Sequence, residues 1–524
     1  MSAGNTIARA TVLILALSLL SRVLGLGREM AIAYGFGTGG TADAFFVAYI
    51  IPYIFYGVIG MALTTVIVPV FAEYAAEGRR EEAWRMLSLV TNTVFTVMAA
   101  LAILGMVGAP VIAGTLGAGF KPETLQLATR LTAVMMPAIV FMTLAGVFAG
   151  ILNANQVFGP PAFGPAAQNL TIIAGALLGG KLWGIYGLAG GAVAGAVVLG
   201  LVQLPALRHV GFKYSFQIDI RHPEVRRVLA LILPVILMSG IMQVYTMVDW
   251  RLASGLAAGS ISSLNYANKL MNLPQGLFVT AVATAVFPTL SQLVAENRRA
   301  EMARVLQRAM KVILLLGVPG AIGLIVLREP VVGLLFQRGA FDAQSTSMTA
   351  SALLFYAIGL AGLCLNLPLV RGFFAMHDTR TPFFVSASTL VVKIILSLVL
   401  VRFLQHAGLA LATSLTVILN MSIFALLLRR RLPELFDRPF FNFTGRVAIS
   451  AGVMGLAVYG LDGLLAGHLG TGGLALVVRV VTDVLTGAAV FVIAGLVLRL
   501  DELVNIIRFS YGTVARRTGM SYTK

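Results

Sequence analysis

Apolar runs of about twenty residues or more recur along almost the whole chain, and they decide what it can fold into. A run of that length is what an α-helix needs to cross a hydrocarbon core about 30 Å thick, where every backbone polar group must be satisfied within the segment. About fourteen can be read, near residues 7–34, 42–71, 87–109, 124–152, 161–182, 184–206, 226–253, 263–294, 308–327, 347–374, 382–403, 407–428, 445–466 and 474–499. None alternates over about ten residues, as a strand of a membrane barrel would. The expected fold is all-α and polytopic, with about fourteen transmembrane helices. Composition excludes the soluble alternative, since 58% of the 524 residues are hydrophobic and 11% charged.

The formal charge of +17 could suggest a nucleic-acid partner. Its placement argues against one. Lys and Arg gather in alternate loops: Arg79, Arg80 and Arg85; Arg208, Lys213, Arg221, Arg226 and Arg227; Arg298, Arg299, Arg304, Arg308 and Lys311; Arg429, Arg430, Arg431 and Arg438; Arg508, Arg516 and Arg517. The loops between carry few, among them Lys121, Lys181, Arg328 and Arg338. This positive-inside pattern places both termini in the cytoplasm, as an even helix number requires. Residues 18–28 offer no convincing signal-peptide cleavage site. Cys364 is the single cysteine, which excludes an internal disulfide and argues against a cysteine metal site.

Two short motifs fail. Gly175 to Lys181 imitates a phosphate-binding loop, but Leu182 stands where Ser or Thr must hold magnesium, and the segment ends an apolar run. Gly35 to Gly40 fits a dinucleotide fingerprint only formally, lying between two apolar runs. The histidines, at 209, 222, 377, 406 and 468, show no metal or triad spacing. No enzyme activity and no cofactor are expected, so any transport draws on an ion gradient or the membrane potential.

The chain also repeats itself. The stretch from Pro69 to Leu87 matches that from Pro288 to Leu306 without a gap, at an offset of 219, with about 8 of 19 positions identical. A fainter echo pairs Gly150 to Pro161 with Gly372 to Pro382. The offset spans six helices, so the two copies share one orientation, a parallel repeat of the kind that builds two-lobed transporters. The expected organisation is an N-terminal lobe over 1–207, a cytoplasmic linker over 208–225, a C-terminal lobe over 226–430, and two extra helices with a tail over 431–524.

Charges within the apolar runs mark candidate functional residues, because an ionised side chain at bilayer depth costs roughly 2.5–3.5 kcal/mol on insertion scales. The first half has Ser21, Arg22, Arg28, Glu29 and Asp43; the second has Asp249, Arg251 and Lys269, with Arg371 and Asp378 near a cytoplasmic end. Arg22 and Glu29, seven apart, share a helix face. One reading makes Arg22–Glu29 and Asp249–Arg251 structural ion pairs, with Arg28 reaching an interface. The other makes Arg22, Arg28 and Lys269 a cationic site for an anionic, phosphate-bearing head group. Arg28 and Lys269 have no evident partner in sequence, which favours the second. Pro52, Pro137, Pro234 and Pro274 are expected helix interruptions around such a site.

The residues resemble a known family. Ser21 to Glu29, Phe36-Gly37, Asp43 to Ala48, Gly150 to Ala154, Pro161-Ala162-Phe163, Tyr266 to Met271 and Asp378 to Pro382 are similar to the MurJ (MviN) lipid II flippases, in order over about residues 5–430. The resemblance implies two six-helix lobes of the multidrug and polysaccharide-lipid exporter superfamily, with two C-terminal helices forming a groove for a lipid tail. It implies flipping of undecaprenyl-diphosphate-linked peptidoglycan precursor from the inner to the outer leaflet of the bacterial cytoplasmic membrane. Membrane lipids and cell-wall synthesis enzymes are the implied partners. The family's cavity arginines fall on Arg22 and Arg28, and its helix-8 arginine on Lys269, which keeps the charge but loses the planar fork. Where the family has an arginine in helix 2, this chain reads Phe55-Tyr56-Gly57, then Gly60-Met61-Ala62.

Together these give a substrate-binding set of Arg22, Arg28, Lys269, Ser21, Glu29 and Asp43. Asp249 with Asp378 is a secondary candidate for a coupling cation, Na⁺ or H⁺. Rival expectations are a flippase for another polyprenyl-linked saccharide, a drug or cation antiporter, whose cavity would be dominated by carboxylates, and a membrane scaffold for cell-wall enzymes.

Overall fold

A computed structural model describes residues 3–217, 219, 222–469 and 473–505; Arg221, Arg508, Arg516 and Arg517 from the basic loops lie outside them. All fourteen apolar runs are occupied by helix, and there is no strand among the described residues. Eight helices there are long and apolar enough to cross a membrane, or ten if each of two bent pairs is one span. Contacts group the chain into two compact units. One runs up to Ser263 and includes Arg338–Ser345; the other holds Leu264–Gln337 and the described residues from Thr346 onward.

In the first unit, α1 (Ala3–Phe36) turns through Gly37, at φ +59°, into α2 (Gly40–Phe55). A π turn over Tyr56–Gly60 leads into α3 (Met61–Ala76), followed by α4 (Arg80–Val107), α5 (Ala109–Leu116) and α6 (Pro122–Met135). α6 bends by 41° into α7 (Ala138–Ala154) beside Pro137, one of the expected interruptions. Next come α8 (Gly159–Ala174), a π turn over Gly175–Gly179, α9 (Gly180–Trp183), α10 (Ile185–Leu201), α11 (Leu204–His209) and α12 (Pro223–Ala253). The false phosphate loop is thus a π turn inside a helix. Trp84 packs between Phe71, tilted against it at 5.0 Å, and Phe212, edge to face at 5.6 Å between ring centroids.

The second unit takes up α13 (Ser260–Pro274) after its first turn. A π turn over Gln275–Val279, α14 (Thr280–Ala295), α15 (Arg299–Val326), α16 (Arg328–Phe336) and α17 (Ala343–Ile358) come next. α17 bends by 45° into α18 (Leu360–Ala375). Then come α19 (Arg380–Arg431), α20 (Arg438–Leu469) and α21 (Gly473–Val497). α19 is two helices joined at Gln405, whose φ of 51° is non-helical, so it accommodates the two separate runs 382–403 and 407–428. α20 packs on α15 and α21 through Val447, Ala451, Met454, Val458 and Phe491.

The repeat in sequence is a repeat in structure. Adding 219 to the bounds of α3 and α4 gives those of α14 and α15, and adding it to the π turn over Tyr56–Gly60 gives the one over Gln275–Val279. The matched polar residues have a local task. Gly78 and Asn297 adopt φ of +73° and +58° in the tight turns after α3 and α14, the left-handed region that Gly and Asn tolerate best. Arg79 then clasps Glu77 at 2.8 Å and Glu82 at 2.5 Å, as Arg298 clasps Glu296 at 2.6 Å and Glu301 at 2.7 Å. Compact unit and repeat are different divisions, one by contact and the other by sequence.

Candidate functional site

Four of the candidate residues lie on α1. At 1.5 Å per residue, Arg28 is about 12 Å and Arg22 about 21 Å from the helix end at Phe36, within a hydrocarbon core about 30 Å thick. α8 runs against α1 and brings Asn169 to the same level.

Arg28 is the centre of the site. Its side chain is 12% exposed and that of Glu29 is 2%. Arg28 Nη2 donates to Glu29 Oε1 at 2.6 Å, while Nη1 donates to Asn169 Oδ1 at 3.2 Å and to the Tyr49 hydroxyl at 3.4 Å. The guanidinium carbon also lies 5.7 Å from the centroid of the Tyr49 ring. Asn169 is held in turn, its Nδ2 donating to the Ser21 carbonyl at 3.1 Å. Tyr49 stacks on Phe45, with centroids 5.7 Å apart and planes within 12°, so the ring beneath the guanidinium is fixed. A guanidinium has five N–H donors. Among the described residues Arg28 uses three, which leaves Nε–H and one Nη2–H for a ligand.

This corrects the pairing expected from spacing. Arg22 and Glu29 share a face, but seven residues separate them by about 10 Å along the axis. The Arg28 side chain instead folds onto its neighbour's carboxylate. Arg22 is therefore the cation left over: it is exposed, and among the described residues it forms no hydrogen bond or ion pair. The Asp249–Arg251 pair is also not formed. Two residues apart on α12 they face different sides, Asp249 buried and Arg251 exposed.

The other candidates are placed elsewhere. Asp43 is buried in the first turn of α2 and accepts from the Gly259 N–H at 2.7 Å, the Ser262 N–H at 2.8 Å and the Ser262 hydroxyl at 2.8 Å. It thus caps the N-terminus of α13. Lys269 is half-buried on α13. Asp378 precedes α19, accepting from the Thr381 N–H at 2.9 Å, the Thr381 hydroxyl at 2.7 Å and Arg431 at 2.7 Å. Burial works against its charge, but those donors outweigh it and hold the carboxyl down at about 2. Both oxygens are engaged. Arg371 lies over the Phe287 ring at 5.0 Å.

Sequence reasoning missed Tyr49, Asn169 and Lys393. Lys393 on α19 is 1% exposed and donates to the Thr413 hydroxyl at 2.7 Å. The available signal was a strongly polar side chain inside an apolar run, Asn169 beside Gln168 in 161–182 and Lys393 in 382–403.

Residues 32–479 match the family described as Lipid II flippase MurJ. A Burkholderia cenocepacia protein named Lipid II flippase MurJ is 32% identical over 432 residues, covering 81% of this chain and 84% of its own length. A Rhizobium meliloti protein named Probable lipid II flippase MurJ is 32% identical over 455 residues, covering 84% of each. A solved structure of lipid II flippase MurJ in an inward closed conformation superposes with a TM-score of 0.80 at 27% identity, covering 93% of this chain and 99% of that one. An inward-facing multidrug resistance MATE family transporter of the MOP superfamily gives 0.65 at 15% identity, covering 81% and 98%, a likeness of fold alone. An all-helical membrane chain with an arginine centre in its first helix, aligned over most of its length with these relatives, belongs to the MurJ lipid II flippase family.

Proposed function

We propose that this chain carries lipid II, the undecaprenyl-diphosphate-linked peptidoglycan precursor, from the inner to the outer leaflet of a bacterial inner membrane by alternating access. The observation that carries this is Arg28, held rigidly within the span with two donors open, about one turn and a half from the unpaired Arg22. Arg28 presents a fixed fork suited to a phosphate oxygen pair, and Arg22 adds a charge that no carboxylate among the described residues cancels. Lys269, half-buried on α13, is proposed as a further cation for an anionic cargo.

The driving force we assign is the membrane potential, with both termini in the cytoplasm. Moving an anion outward under an inside-negative potential is favoured by roughly 2.3 kcal/mol per charge per 100 mV. Asp378 is given no part in coupling, since both its oxygens already serve the α19 cap and Arg431. A different polyprenyl-linked saccharide is the second reading, favoured by Phe55-Tyr56-Gly57 in place of the helix-2 arginine.

Complementation of a flippase-depleted bacterium tests the proposal. The wild-type chain is expected to restore growth and Arg28→Ala to fail at equal membrane abundance. An inserted wild-type chain that does not rescue would overturn the lipid II assignment, and rescue by Arg28→Ala would remove Arg28 from the site.

A further inference from the structure

The two helices beyond the repeat contain a charged cluster that the transport reading does not use. Arg479 on α21 forks onto Asp462 of α20, Nε to Oδ1 at 2.5 Å and Nη2 to Oδ2 at 2.8 Å. Asp483 lies one turn further along α21, on the same face as Arg479. Its side chain is 0% exposed, and neither of its oxygens has a hydrogen-bond donor among the described residues. The Asp462 carboxylate is within hydrogen-bonding reach of it. Ten residues from Gly473, Asp483 is about 15 Å along the helix, half the thickness of a hydrocarbon core.

The charges do not balance. Asp462 and Asp483 contribute two negative charges and Arg479 one positive. Among the described residues no other cation approaches from the packed elements. On α16, Glu329 adds a further negative field at Arg479, and the Arg328 side chain donates to the Ile325 carbonyl. The charged residues of α15, from Arg299 to Lys311, are confined to its opposite end. On α20, His468 is exposed and turned to the Leu464 carbonyl, and Arg446 reaches the Arg499 carbonyl at the other end. A buried ionised carboxylate with no donor costs several kcal/mol, and two carboxylates in contact repel.

We propose that Asp462 and Asp483 share one proton within the membrane, so that α20 and α21 hold a built-in proton-binding site. The proton, taken from water, forms an O–H bond on Asp483 and is donated to an Asp462 oxygen, while Arg479 neutralises the remaining charge. One proton then satisfies the orphaned carboxyl and closes the cluster at zero net charge. Loss of the proton leaves one uncompensated charge between the helices and drives them apart. The site is separate from Arg28 and does not depend on the identity of the cargo.

Infrared difference spectroscopy on the full-length protein in lipid tests this. The wild type is expected to show a protonated-carboxyl stretch at neutral pH that shifts in D₂O and disappears as pH is raised. Asp483→Asn removes it. Asp462→Asn removes it equally, because Arg479 then pairs with an ionised Asp483. Absence of the band from the wild type overturns the proposal without recourse to any variant. A band lost in Asp483→Asn but intact in Asp462→Asn overturns the sharing, since burial alone would then hold the proton.

Discussion

Asp43 Oδ1 accepts from both the N–H and the hydroxyl of Ser262, the residue 219 positions on that occupies Asp43's own place in the second copy of the repeat. A carboxylate that recognises its counterpart ties the opening of α2 to the opening of α13. Its other oxygen takes the Gly259 N–H at 2.7 Å, so a whole helix start depends on one side chain. Asp43→Ala is expected to destabilise the protein by about 1–2 kcal/mol through loss of the cap, and Ser262→Ala by less, because the N–H bond survives. Thermal unfolding of the two purified variants in detergent gives the order.

Asn169 holds Arg28 and the Ser21 carbonyl together. Asn169→Leu should leave the fold intact but free the guanidinium to swing, weakening capture of a lipid diphosphate by about tenfold, near 1.4 kcal/mol. Arg28→Lys should weaken it at least as much, because an ammonium cannot serve Glu29, Asn169 and a phosphate at once. Binding of lipid II to the two variants by native mass spectrometry checks both.

Gly78 and Asn297 occupy equivalent left-handed positions. Gly78→Asn should be nearly silent, whereas Gly78→Val should cost about 1–2 kcal/mol, since a branched side chain is strained at positive φ. Gly146→Ala, in contrast, places a Cβ 2.5 Å from the Gly60 carbonyl oxygen, a backbone atom that cannot step aside. That variant should lower the yield of folded protein, as read by monodispersity after extraction.

Asp378 supplies a pH dependence whose sign is set by its donors. Its carboxyl is held at about 2 in the folded chain, below an ordinary aspartate. The stabilisation is present above about pH 4 and fades as pH falls toward the folded value. It is on the order of 1 kcal/mol once screening at the half-exposed Arg431 is allowed for. Between about pH 6 and about pH 3 the wild type should therefore lose more thermal stability than Asp378→Asn.

The fold was largely legible because the bilayer imposes it. Each apolar run had to close its own hydrogen bonds, and each became helix. The repeat was legible because Arg79 and Arg298 perform one local task in two places. The site was harder to read. Spacing on a single helix reports which residues share a face, not which lie at one level, and this is why the spacing suggests Arg22–Glu29 whereas Arg28–Glu29 forms. Tyr49 and Asn169 come from 21 and 141 residues away, and no periodicity within α1 points to them. The break at Gln405 was legible as a gap between runs, although its left-handed backbone was not.

The matching π turns carry a historical consequence. A π turn is a helix with one residue too many, a defect with no reason to arise twice at one register. Tyr56–Gly60 and Gln275–Val279 have only one identity, Gly57 with Gly276, yet they lie 219 apart to the residue. The insertion therefore predates the gene duplication, and the ancestor already carried the flaw. The extra residue then belongs to the shared plan of the two copies, kept at one register while the residues around it diverged.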